Sequence, residues 1–149
     1  MVRPMIARKP AYPRSRPAPP APADLTDRSE RERLSGAALR AFFNIMARWN
    51  VRDGDARVLL GGMTNGPYYE LKRNPARVLD VDRLTRISLL IGIFKALNIL
   101  HSESLADRWV HLANANRIFG GVTPLTYMMR GGVPALLTVR RLLDARRAG

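Results

Sequence analysis

A run of apolar residues near the middle of the chain, ISLLIGIFKALNIL from Ile87 to Leu100, constrains the fold most strongly. It is shorter than the roughly 20 residues that a membrane-spanning helix needs, and it contains Lys95 and Asn98. A helix that is apolar around most of its surface must be surrounded by other structural elements. The run therefore predicts a buried central helix over about Asp82–His101.

The rest of the chain after about Asp27 also has helical spacing, and no convincing alternation of polar and apolar residues appears. We therefore predict an all-α fold. The other predicted helices cover Asp27–Trp49, Asp53–Leu60, Thr64–Arg73, a segment capped by Ser102 or Ser104 and ending near Phe119, Thr123–Arg130, and Pro134–Arg147. The predicted core residues are Leu39, Phe42, Phe43 and Met46 in the first helix and Leu84, Ile87, Ile91, Phe94 and Leu97 in the central helix.

Two glycine pairs enclose one short predicted helix in the segment NRIFGGVTPLTYMMRGG, Asn116–Gly132. Thr123 is a suitable N-cap, and Pro124 has the fixed φ that suits a first helical position. Gly131 is predicted to be the left-handed residue that ends the helix. The predicted apolar stripe of this helix consists of Leu125, Met128 and Met129.

The N-terminal segment Met1–Pro22 contains seven prolines, five basic residues and no acidic residue. This composition cannot form a packed core, and it lacks the continuous apolar stretch of a secretion signal. We predict a basic, proline-rich arm over residues 1–26, either disordered or wrapped around a partner. Removal of Met1–Pro22 is expected to leave the fold intact.

Basic residues exceed acidic residues, 25 to 12, and give a formal net charge of +13. The excess favours an acidic partner such as nucleic acid or an anionic surface, although an arginine-rich proteome would produce the same composition. The absence of cysteine excludes disulfides and thiolate metal sites and favours a cytoplasmic location. His101 and His111 lack metal-binding spacing, so we expect no metal site. We also expect no cofactor.

The segment Asp53–Pro75 has the proportions of a helix-turn-helix, with Gly61–Met63 as the turn. In that geometry the start of the second helix faces the DNA major groove, and its basic residues contact phosphates. A purely structural helical hairpin would have the same pattern. The candidate DNA-binding residues are Thr64, Asn65, Tyr68, Tyr69, Lys72 and Arg73.

The sequence contains no glycine-rich phosphate loop after a strand, no clustered catalytic triad and no carboxylate pair in an obvious cleft. Asp80 and Asp82 lie at a predicted helix start, where capping explains them. We therefore expect the chain not to be an enzyme.

The segment Ser104–Gly149 has a distinctive order of elements: Trp109, Asn116, Phe119-Gly120-Gly121, Thr123-Pro124-Leu125, a glycine turn and a final amphipathic helix. This order resembles the toxin-binding domain of Xre/MbcA/ParS-type antitoxins, with looser agreement from about Ser35. The chain has Ala115-Asn116 where the family commonly has Pro-Asn. It also has Arg130-Gly131-Gly132-Val133 where a Thr-Gly-Glu-Gly type turn is usual.

The resemblance implies the antitoxin of a type II toxin–antitoxin pair. It implies a partner toxin with a RES domain, which consumes NAD or transfers ADP-ribose, and inhibition by occlusion of the active site. It further suggests a homodimer and repression of the shared operon by an Xre-like region at 27–101, with toxin binding at 102–149. A stand-alone helix-turn-helix repressor is the alternative.

The candidate toxin-binding residues combine the glycine-rich segment with arginines, whose guanidinium forks bind carboxylates and phosphates at interfaces. The alternative for the arginines is a solvated helix face, and Trp109 and Leu125 are expected to be mainly core. The candidates are Asn116, Gly120, Gly121, Thr123, Arg130, Arg140, Arg141, Arg146 and Arg147.

Overall fold

The computed structural model describes residues 22–149, and this part of the chain is all-helical with no strand, which confirms the predicted fold class. The N-terminal arm falls almost wholly outside the described residues. Six α-helices are described: α1 Arg28–Arg48, α2 Asp53–Leu59, α3 Asn65–Arg73, α4 Val81–Leu100, α5 Glu103–Arg108 and α6 Pro124–Ala148. Two 3-10 helices, Trp109–His111 and Arg117–Phe119, lie between α5 and α6.

Four helices begin at polar side chains that accept a hydrogen bond from a backbone N–H of the first turn. Asp27 caps α1, Asp80 caps α4, Ser102 caps α5 and Thr123 caps α6. Such caps satisfy N–H groups that have no partner within the helix. The predicted capping roles of Asp80, Ser102 and Thr123 are confirmed, and Pro124 occupies the first turn of α6 as expected.

Helix α4 is the centre of the fold, as predicted from its apolar run. It makes its most extensive contacts with α6 and then with α1. Leu84, Ile87 and Leu97 are buried as predicted, whereas Ile91 and Phe94 are only half-buried. Because α4 packs against two helices, its buried surface is wider than one stripe and also includes Leu90, Ile93 and Ala96.

A single apolar cluster joins the helices on both sides of α4. Leu39, Phe42 and Met46 of α1 belong to it as predicted, with Phe43 half-buried at its edge. The cluster also contains residues of α2, α3 and α6, so the regions predicted as 27–101 and 102–149 share one core. Within residues 22–149, no helix is long and apolar enough to cross a membrane.

The helix predicted to end near Phe119 ends at Arg108 instead. Beyond it, the ring Nε2 of His111 donates to the carbonyl oxygen of Trp49 over 2.6 Å. Asn114 and Asn116 then accept hydrogen bonds from backbone N–H groups two residues further along the chain. These local bonds compete with helical ones, so the chain forms turns and a short 3-10 helix.

The glycine that interrupts α6 is Gly132, not Gly131 as predicted. Gly132 has φ 63° and ψ −148°, a combination essentially restricted to glycine, whereas Gly131 does not have a positive φ. The α6 segment therefore consists of two helical halves joined at a kink, and Pro134 lies at the start of the second half.

Ser35 ties the connection before α4 to helix α1, and it is 2% exposed. Its hydroxyl donates to the carbonyl oxygen of Arg31 and accepts from the buried N–H of Leu79 over 2.9 Å. We expect Ser35→Ala to lower the free energy of unfolding by about 1–3 kcal/mol, because the Leu79 N–H loses its partner. Urea denaturation measures this effect, and the exposed Ser29→Ala is the control. Equal stability of the two variants would contradict the assigned role.

Candidate functional site

The segment between the second 3-10 helix and the start of α6 forms a tight corner. The side chain of Asn116 accepts from the N–H of Ile118 over 3.0 Å and starts the 3-10 helix. Gly120 and Gly121 then have φ values of 57° and 87°, in the region that favours glycine. The chain thereby turns directly into the Thr123 cap of α6. We call residues 116–135 the glycine corner.

Aromatic side chains connect the glycine corner to the core. The Phe119 ring packs edge-to-face against Trp109 at 6.0 Å and against Tyr127 at 5.3 Å between ring centroids. Trp109 and Leu125 are each 6% exposed, as predicted for core residues, and Phe119 is 2% exposed. These contacts fix the 3-10 helix to the first half of α6.

A mainly apolar recess of about 480 Å³ opens on the glycine corner between the two halves of α6. Arg130 is exposed at this recess, and no ion pair to it occurs within residues 22–149. The recess is lined by Phe119, Gly120, Val122, Tyr127, Arg130, Gly131, Pro134, Ala135 and Thr138. Its concave surface can accept an apolar group beside a negative charge.

Residues 95–149 match the family model of the antitoxin Xre/MbcA/ParS C-terminal toxin-binding domain. This match supports an antitoxin role. It covers a little over a third of the chain, from the last turns of α4 to the C-terminus, and includes the whole glycine corner. No curated protein and no solved structure matches the chain significantly.

All nine candidate toxin-binding residues lie within the matched antitoxin domain. Gly120, Gly121 and Arg130 are exposed at the glycine corner. Asn116 and Thr123 are half-buried, and their side chains are occupied by capping bonds, so they shape the corner.

The C-terminal arginines of the matched region have different environments. Arg140 is half-buried, and its Nε lies 3.0 Å from Asp144 Oδ2. A Cβ at Gly92 of α4 would overlap the Arg140 guanidinium, so Arg140 fills space left by the absent side chain. Arg147 also approaches Asp144, at 3.6 Å.

Arg141 and Arg146 are exposed on the second half of α6. Neither forms an ion pair with another of the described residues. Of the four C-terminal arginine candidates, these two have guanidinium groups free for a partner.

Sequence reasoning missed Tyr127, Pro134 and Thr138 as lining residues of the recess. Their positions in the sequence do not indicate that they line a common cavity, because the kink at Gly132 is what brings them together. Gly92 was also missed, although an isolated glycine within an apolar helix often marks a close approach of another group.

The helix-turn-helix-like pair α2–α3 lies outside the matched antitoxin domain. Its two helices are linked through Asp53, whose carboxylate accepts hydrogen bonds from Tyr68 at 2.7 Å, Lys72 at 2.8 Å and Tyr69 at 3.2 Å. Tyr68 is only 1% exposed. The Tyr68 ring therefore packs in the core, although the sequence predicted that it lies near DNA; a direct contact with DNA would require the ring to leave this position.

The remaining candidate DNA-binding residues lie on the surface of α3 or at its N-cap. Thr64 and Asn65 are exposed at the start of the helix, and the Thr64 side chain makes no capping bond. Tyr69, Lys72 and Arg73 are also exposed. The charge of Lys72 is partly offset by Asp53, and that of Arg73 by Glu70.

The hydrogen bonds to Asp53 affect the titration of this site. The bonds from Lys72 and then Tyr68 lower the pKa of the Asp53 carboxyl. Burial and the bond to Asp53 raise the pKa of the Tyr68 hydroxyl. At neutral pH Asp53 is therefore a carboxylate and Tyr68 a neutral buried phenol.

We expect Asp53→Asn to lower the free energy of unfolding by about 1 kcal/mol at pH 7. A lowered pKa in the folded state adds stability above the unfolded pKa of about 3.9, and this contribution disappears as the pH falls through the folded pKa. The difference in the free energy of unfolding between wild type and Asp53→Asn should therefore shrink as the pH falls from 5 to 2. Urea denaturation across this range tests the expectation.

Asp55→Asn in the same helical turn is the matched control for Asp53→Asn, since among residues 22–149 Asp55 pairs only with Arg52, at 3.6 Å. We expect this control to have a smaller effect at pH 7. A wild-type-like stability of Asp53→Asn at neutral pH would show that Asp53 does not hold α2 and α3 together.

Proposed function

We propose that this chain is the antitoxin of a type II toxin–antitoxin pair and that it inactivates a RES-domain toxin in the cytoplasm. Such a toxin would consume NAD or transfer ADP-ribose from it. The match of residues 95–149 to an antitoxin toxin-binding domain carries this proposal. The antitoxin does no chemistry itself and acts by covering the entrance to the toxin's active site.

The glycine corner and the C-terminal half of α6 are the proposed contact surface. The corner is fixed by the Asn116 and Thr123 caps and by the packing of Phe119, so little conformational freedom is lost on binding. Arg130, Arg141 and Arg146 add exposed guanidinium groups to this surface. An interface of standard size would bury roughly 1,600 Å² in total.

Co-expression with the product of the adjacent gene tests the proposed function. We expect the two proteins to copurify, and mass measurement of the complex reports the proposed homodimeric antitoxin bound to toxin. Cells that express the toxin should survive only when the antitoxin is present. Failure to associate with a toxic neighbouring gene product, or turnover of NAD by the antitoxin alone, would overturn the proposal.

Arg140 and Arg141 are neighbours in sequence but have different environments. Alanine variants of the two can therefore distinguish an effect on toxin binding from an effect on folding stability. We expect Arg141→Ala to weaken toxin binding about tenfold with little change in stability, because its exposed guanidinium contacts the toxin. Arg140→Ala should instead lower the free energy of unfolding by about 1 kcal/mol, because its packing over Gly92 is lost. Calorimetric titration with toxin and thermal unfolding provide the two readouts. Wild-type binding by Arg141→Ala would remove Arg141 from the proposed contact surface.

Repression of the operon through α2 and α3 is a second proposed activity. The exposed Thr64 and Asn65 at the start of α3 favour it, because the first turn of a recognition helix is the part that faces DNA bases. Binding to the upstream DNA should weaken steeply with salt if phosphates are contacted. DNA binding without any associated toxin would instead favour the stand-alone repressor.

A further inference from the structure

We infer that the recess in the glycine corner is a socket for one apolar side chain of the toxin, and that Arg130 pairs with a carboxylate next to that side chain. This inference rests on the proposed function and specifies the chemistry of the partner. The proposed partner is thus a protruding toxin segment in which an aliphatic or aromatic residue lies beside Asp or Glu.

The walls of the recess are mainly apolar and come from three separate segments. Phe119 belongs to the 3-10 helix, Tyr127 to the first half of α6, and Pro134 and Ala135 to the second half. The recess is open to solvent, and its volume of about 480 Å³ lies within the range of ligand-binding clefts. The recess is therefore large enough to accept a side chain of a partner.

Arg130 and Tyr127 provide polar groups at the recess. The Arg130 guanidinium is exposed and forms no ion pair with any residue in the 22–149 range. Tyr127 also lines the recess. A guanidinium binds a carboxylate through two parallel N–H groups, and this geometry favours Asp or Glu over other partners.

The charge of the chain segment that forms the recess also favours an acidic partner. Between Asp107 and Asp144 the chain contains five arginines and no acidic residue. No carboxylate of this segment can therefore compete for Arg130. A carboxylate of the toxin would supply the charge that the segment lacks.

The recess is held in shape before any partner binds. The left-handed Gly120 and the kink at Gly132 set the angle between its walls, and the packing of Phe119 on Trp109 fixes its floor. A preformed socket avoids the entropy cost of ordering a binding site. These properties are typical of pockets that receive interface anchor residues.

Titration of the antitoxin with the purified product of the adjacent gene tests the inference. We expect Arg130→Glu to raise the Kd at least about thirtyfold and Arg130→Lys to have an intermediate effect. Thr138→Phe should raise the Kd about tenfold or more, because the larger ring fills the recess. If Thr138→Phe does not fold, Val122→Phe is the second recess-filling variant, because Val122 also lines the recess.

Arg77→Glu is the matched control, because Arg77 is also exposed, forms no ion pair in the described part of the chain and lies outside the antitoxin domain. It should change the Kd by less than about threefold. An equal effect of Arg77→Glu and Arg130→Glu, or wild-type affinity of folded Arg130→Glu and recess-filling variants, would overturn the socket while the proposed function stands. Absence of binding by the wild type would overturn the proposed function itself.

Discussion

Gly132→Ala is expected to lower the free energy of unfolding by about 2–3 kcal/mol and the melting temperature by about 5–10 °C. The residue has φ 63° and ψ −148°, and a side chain with a Cβ is strained in this conformation. Relief of the strain would require α6 to change the angle at its kink, which would disturb its packing against α4. Thermal and urea denaturation measure the loss.

Gly54→Ala is the matched control for Gly132→Ala. Gly54 lies inside α2 without a positive φ, and a Cβ there would meet no atom of residues 22–149 within 4 Å. Alanine at this position should therefore stabilise the protein by about 0.5–1 kcal/mol. Equal effects of the two substitutions would show that the kink at Gly132 does not carry the predicted strain.

Phe119→Ala should have the largest effect on the glycine corner. Its buried ring packs on both Trp109 and Tyr127, so truncation leaves a cavity and should cost about 3–5 kcal/mol. We also expect the near-UV circular dichroism of the tryptophans to weaken and toxin binding to be lost. Chemical denaturation and titration with toxin measure the two consequences.

The neighbouring Ile118→Ala controls for a change of side-chain size in the same 3-10 helix. Ile118 is 37% exposed, and its removal should change stability by less than about 1 kcal/mol. If Phe119→Ala were no more destabilising than Ile118→Ala, the aromatic contacts would not be what holds the corner to the core.

Features determined by neighbouring residues were predictable from the sequence. The caps at Asp80, Ser102 and Thr123 depend on side-chain oxygens within reach of the next helical turn, and all three are present. The buried central helix was also predictable, because an apolar surface of that width requires neighbours on several sides.

Features determined by contacts between distant segments were not predictable in the same way. Either glycine of the pair Gly131-Gly132 could have ended the first half of α6, and the packing of both halves against the core determines which one adopts the positive φ. Similarly, the position of Arg140 over Gly92 joins residues of two different helices. Nothing in the local sequence of Arg140 distinguishes it from the exposed Arg141.

The candidate site was predicted in part. The glycine corner was found from its caps and glycines, but the recess depends on the kink angle and so appeared only in three dimensions. The burial of Tyr68 was not predictable either, since its position on a short helix was compatible with either a DNA-facing or a core residue. Burial in contact with Phe43 and Asp53 decided in favour of the core.

The common apolar cluster around α4 has a consequence for engineering. A graft that transfers only residues 102–149 to another scaffold would leave α6 without the helix that covers its apolar face. Even the boundary at residue 95 cuts α4 within its length. To exchange partner specificity between two such proteins, one must therefore transfer α4 together with the glycine corner. The alternative is to substitute only the surface residues of the corner.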